Sequence, residues 1–147
     1  MNKSLLLAFT ILTTLTSNAF ANHAYRSQSC TSEKFDLAYL GNYPVGGMYG
    51  LSPSNSENQV SALPSDDTVM TDVNAEVIFT ELSSVNIGEA KESKDCDFDH
   101  TEWKSKKVIE MTSVSAEAAK IGLKQGDKIT FICEETLDYP NGVESCL

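Results

Sequence analysis

Residues 115–132 read SAEAAKIGLKQGDKITFI, and this stretch restricts the fold more than any other part of the chain. Ser115 can cap a helix, because its hydroxyl accepts a free N–H of the first turn. Ala116, Ala118, Ala119 and Lys120 are good helix formers, and Glu117 sits where the helix dipole favours an anion. Gly122 supplies the left-handed conformation that stops a helix. Leu123 is an apolar plug, Gly126-Asp127 turns the chain, and Ile129, Phe131 and Ile132 open a buried strand. The pattern predicts a helix of barely two turns delivered straight into a sheet. It specifies an architecture more than an activity.

The first 21 residues have the form of a cleaved secretory signal. Lys3 gives a positive start, Leu5 begins an apolar run, and Ala19-Phe20-Ala21 is a small-x-small cleavage site. The run is shorter than the roughly 20 residues that a spanning helix needs. Residues 22–147 are then expected to form a single exported domain. Losing Lys3 leaves 10 basic and 21 acidic residues, a formal charge of −11. Long-range repulsion disfavours nucleic acid and anionic lipid as partners. The expected location is periplasmic or secreted.

Cys30, Cys96, Cys133 and Cys146 all follow the cleavage site, and an even count in an exported chain implies disulfides. Three connectivities are open. Sequence order favours Cys30–Cys96 with Cys133–Cys146, the second pair flanking the turn Tyr139-Pro140-Asn141-Gly142. A regular hairpin about that turn would set Cys146 opposite Thr136, so this pairing requires an irregular return. Zinc is disfavoured, because no two cysteines have CxxC-type spacing.

Along the mature chain, residues 22–33 read as a loose leader pinned at Cys30. Residues 35–40 (FDLAYL) are a short strand, residues 41–50 a glycine-rich turn region, and residues 51–67 an exposed loop. Residues 72–80 alternate, with Val73, Ala75, Val77 and Phe79 on one face, and predict a half-buried strand. Residues 82–87 extend it or form another strand, which Gly88 ends. Residues 89–107 are charged and read as a loop or broken helix around Trp103. Residues 108–111 are a strand leading into Ser115.

Residues 108–137 resemble the PDZ domain of bacterial periplasmic trypsin-like proteases. Val108-Ile109-Glu110-Met111 matches its strand, and Ala116-Glu117-Ala118 matches its helix opening. Ile121-Gly122-Leu123 stands for its Ala-Gly-Leu, and Gly126-Asp127-Lys128-Ile129 matches its Gly-Asp-x-Ile. Cys133-Glu134 replaces its Asn-Gly turn, with Leu137 at the next apolar position. The resemblance implies a disulfide-stapled, mostly β fold with one short helix (α+β), a PDZ-like partly open barrel or sandwich. It also implies a ligand that adds as a strand to a sheet edge, its carboxylate held by a glycine loop. Tyr39, Leu40 and Gly41 match that loop's Tyr-Leu-Gly. Two departures stand out: the long separation of Gly41 from Val108, and too few residues after Leu137 for the groove's second helix.

No catalytic constellation is present. The chain lacks Gly-x-Ser-x-Gly and His-Glu-x-x-His, and its histidines are His23 and His100. Residues 95–106 fail as a calcium loop, because His100 stands at the sixth-position glycine and Lys106 at the closing Glu. No metal and no cofactor is expected. The expected function is non-catalytic binding of a peptide or protein partner through a PDZ-like module. The alternative is a structural or assembly subunit of a bacterial envelope or secretion system. These alternatives share an expected mechanism, the covering of a β edge by a partner.

Overall fold

The computed structural model describes residues 24–42, 47–65, 75–94 and 98–140. Seven strands and one short helix follow in the order β1 (Tyr25–Thr31), β2 (Phe35–Asn42), β3 (Gly47–Pro53), β4 (Val60–Pro64), β5 (Val77–Lys94), β6 (Phe98–Val114), α1 (Ala116–Lys120) and β7 (Lys128–Pro140). Each strand pairs with the next, and β7 returns to pair with β1, so the sheet closes into a barrel. All pairings are antiparallel except β4 with β5, which is parallel. The chain is thus mostly β with one short helix.

The expected helix-to-strand unit forms. The Ser115 hydroxyl accepts the Ala118 N–H at 3.1 Å, and Gly122 has φ +97°. Ala118 and Leu123 are fully buried in the core beside Met111 and Phe131. The Gly126-Asp127 turn is tied back to β6: Gly126 N–H donates to Met111 C=O at 2.7 Å, and Met111 N–H to Asp127 C=O at 2.9 Å. Asp127 Oδ2 also accepts the Lys124 N–H at 2.8 Å. Of the apolar residues that open β7, Phe131 faces the core, whereas Ile132 is exposed. The strand expected at residues 35–40 is β2, and the one at 108–111 lies inside β6.

Several expectations are corrected. The leader is strand β1, because its alternate residues Gln28 and Cys30 are buried in the barrel. The exposed loop contains the last three residues of β3 and all of β4, where Leu51, Val60, Ala62 and Leu63 are core residues. In residues 89–107, the described residues belong to the long β5–β6 hairpin, not to a helix. Charge misleads there because one face of the hairpin is solvated throughout. Cys133 and Glu134 lie inside β7, not at a turn. Of the alternating strand, Val77 and Phe79 are buried as expected, and Val73 lies outside the described residues.

The favoured disulfide pairing is overturned, since Cys30 is bonded to Cys133. The cause is strand pairing: β1 lies antiparallel to β7 with Cys30 directly opposite Cys133, and both point into the core. Cys96 and Cys146 lie outside the described residues. The bond closes a loop across 103 positions and staples the barrel seam. Replacing both Cys30 and Cys133 by Ser should cost about 4 kcal/mol of stability, measured by denaturant unfolding. Peptide mapping without reductant should recover the two cysteines cross-linked.

Candidate functional site

Along β6 the buried inner-face residues change character. Met111 and Ile109 are followed by Lys107 and Ser105, all facing the barrel interior. Neighbouring strands add Gln28 and Glu135, giving the barrel a polar end opposite α1. Glu135, 2% exposed, organises this end. Ser105 Oγ–H donates to its Oε1 at 2.6 Å, and Arg26 Nη2 to its Oε2 at 3.1 Å. Lys107 Nζ lies 3.3 Å from both Glu135 and Glu81 carboxylates. Tyr49 O–H and Arg26 both donate to Gln28 Oε1 at 3.2 Å. Burial raises the Tyr49 phenol, against the nearby Arg26 charge, which lowers it. Burial alone would raise the Glu135 carboxyl, but Ser105, Lys107 and Arg26 together hold it below its ordinary 4.5. Among the described residues no buried side-chain polar atom lacks a partner. Two cations face two carboxylates, so this end is a self-satisfied brace and not an open ligand site.

Tyr39, Leu40 and Gly41 lie in β2 at the same end. Tyr39 pairs with Tyr49 and Gly41 with Met48, with Leu40 the extra residue of a bulge. The Arg26 guanidinium lies 5.8 Å from the Tyr39 ring centre, and the Tyr49 ring meets Tyr39 edge-on at 5.5 Å. Leu40 is exposed, and Gly41 takes φ +130°. These residues form barrel wall paired to β3, with β3 and β4 between them and β5.

Among the described residues, the longest backbone edge without a strand partner lies in β5. β4 pairs only with Val77, Ile78 and Phe79 of this strand, and a Ser65–Thr80 hydroxyl contact at 2.8 Å adds one more link between the β4 side and β5. β5 then runs on to Lys94 with β6 on one side only, and no described residue pairs with its outer edge. Residues 81–94 are exposed throughout. β-Bulges fall between Glu81 and Ser83 and between Ile87 and Lys91. Between them, Ser83 to Ile87 pair one-to-one with Val108 to Lys104. This stretch carries no charge, and Val85 is 62% and Ile87 45% exposed. Unpaired edges are usually blunted by charges and bulges; here both stand at the ends and the middle is bare. The signal was present in the sequence as an uncharged, β-branched run beside Gly88.

A cavity of about 810 Å³ lies against Phe35, Gly122, Asp127 and Ile129 at the helix end, with Lys34 and Lys128 balanced by Glu33 and Asp127. Trp103 is half-buried in β6, and Tyr49 is core. His100 sits on the exposed face of β6, its Nδ1 against Asp138 and its Nε2 2.9 Å from Glu102. No group of three or more metal-ligating side chains occurs among the described residues. Nor is any described helix long and apolar enough to cross a membrane. No family model, curated protein or solved structure matches this chain.

Two outcomes follow from these charges. Removing Glu135 leaves Lys107 and Arg26 short of their buried partner, so Glu135→Ala should cost about 3 kcal/mol in denaturant unfolding. Because the folded-state pKa is depressed, the stabilisation from Glu135 is present above pH 4.5 and lost as pH falls through the lower folded value. His100 has the opposite sign: its hydrogen bonds to Asp138 and then Glu102 raise it above 6.5. Its contribution is complete below pH 6.5 and lost as pH rises through the folded value. An NMR titration should show the His100 midpoint above 6.5, and His100→Gln should remove that part of the pH dependence.

Proposed function

We propose that this chain is a non-catalytic exported binding protein that takes an extended segment of a peptide or protein partner as an extra strand on β5. The observation that carries this reading is the regular ladder from Ser83 to Ile87, flanked by bulges and with no described residue paired to its outer edge. Main-chain pairing at such an edge supplies affinity, and alternate side chains supply selectivity. The PDZ-like pattern of residues 108–137 supports the same mode of capture, moved from Tyr39, Leu40 and Gly41 to β5. The Cys30–Cys133 bond is compatible with an oxidising compartment outside the cytoplasm. As an assembly subunit, the chain would use this edge for a permanent neighbour instead.

Successive residues of a strand point their N–H groups alternately to the two sides. One of Val85→Pro and Asn86→Pro therefore removes an outward amide and leaves the β6 ladder intact. That variant should keep its unfolding midpoint and lose binding across an array of extended peptides by about tenfold or more. Full binding by both variants, each folded, would rule out the β5 edge.

A further inference from the structure

His100 stands between carboxylates from two strands. Its Nδ1 faces Asp138 of β7, directly opposite across the β6–β7 ladder, and its Nε2 lies 2.9 Å from Glu102, two positions along β6. A ring that serves two carboxylates at once donates from both nitrogens, which only the protonated imidazole can do. Glu102 also has a second cation across the sheet. Lys91 of β5 is its direct partner in the β5–β6 ladder, and directly opposite residues share a face with Cβ atoms about 5 Å apart. Lys91 and Glu102 border one cavity of about 390 Å³. Among the described residues Lys91 has no ion-pair partner. On the same face, β5 sets Ser93 opposite His100, β1 sets Tyr25 opposite Asp138, and β7 sets Thr136 opposite Glu102. Lys104, the next cation along β6, is engaged with Glu134 at 2.8 Å. Glu89 borders the cavity from within the bulge that precedes Lys91.

We infer that Glu102 exchanges partners as His100 loses its proton, held by His100 when the ring is protonated and by Lys91 when it is neutral, so that rising pH adds a cross-strand ion pair at the outer end of the β5–β6 hairpin. When the ring releases its proton to solvent, the remaining N–H stays on Nδ1, toward Asp138. Nε2 then turns a lone pair on the Glu102 carboxylate, and two acceptors face each other. Lys91, directly across the ladder, supplies the donor that the ring has withdrawn. The exchange falls above pH 6.5, because Asp138 and then Glu102 hold the imidazole above its ordinary value. Beyond the bulge between Ile87 and Lys91 the ladder resumes for only four pairs, from Lys91 with Glu102 to Lys94 with Asp99. A single added link therefore tells on how firmly this end of β5 is held. The pair lies outside the stretch from Ser83 to Ile87, so the exchange operates whether or not that stretch captures a strand.

Two NMR measurements on the full mature chain test this. Nitrogen-15 shifts of the His100 ring should show the neutral form protonated at Nδ1. Amide protection factors at residues 91–94, which correct for the intrinsic pH dependence of exchange, should rise about twofold as pH passes the His100 midpoint. Lys91→Met should leave His100 titrating and abolish the rise. Glu102→Gln should abolish the rise and lower the midpoint, and Glu89→Gln should keep the rise. A neutral ring protonated at Nε2 would overturn the inference, because Glu102 would then retain its hydrogen bond to His100. No rise in the native chain, or an equal rise in Lys91→Met, would overturn it too. Loss of the rise in Glu89→Gln would give Lys91 to Glu89 and have the same effect.

Discussion

The pairing of the first strand with the last is the constraint on which the rest of the structure depends. β1 is seven residues and pairs along its whole length with β7, but with β2 only at Ser29, Cys30 and Thr31. Without the β1–β7 seam the sheet would have two open edges and no enclosed interior. The Cys30–Cys133 bond sits in that seam and faces the core. Closure lets Leu37, Leu51, Ile109 and Phe131 be buried from several sides at once. It also gives α1 an end to cover, with Ala118 and Leu123 completing the apolar layer.

The interior is divided along its axis. Apolar packing dominates near α1, and the brace around Glu135 occupies the far end. A buried carboxylate is costly unless charges and hydrogen bonds satisfy it, and here Ser105, Arg26 and Lys107 do so. The brace links β1, β5, β6 and β7 through side chains where β1 and β2 have separated. It holds the strands beneath the outer part of β5, so that a long hairpin projects from a fixed base.

Local chemistry was legible in the sequence, and partner choice between strands was not. The helix at Ser115, the stop at Gly122 and the buried Leu123 depend on residues within one turn, so pattern reading recovers them. The Cys30–Cys133 bond depends on β1 finding β7 across most of the chain, which no spacing records. Residues 89–107 misled because charge suggests solvent, and solvated hairpin strands are also charged. β4 was hidden among Ser, Asn and Pro, although Val60, Ala62 and Leu63 are core. At the proposed site, residues 82–87 were legible only as an extension of the preceding strand or a second short one. That no described residue pairs with their outer edge is read only from the β4–β5 pairing, which ends at Pro64 and Phe79.

The seam sets an order of events for a chain released vectorially, N-terminus first. β1 emerges early, but its main pairing partner lies about a hundred positions later, so until β7 emerges it is held only through β2 at Ser29, Cys30 and Thr31. The hairpin of β5 and β6 can form before that, because its partners are adjacent in sequence. The barrel itself cannot close until β7 is out. The Cys30–Cys133 bond therefore marks closure of the barrel, since its two cysteines meet only when β1 and β7 pair.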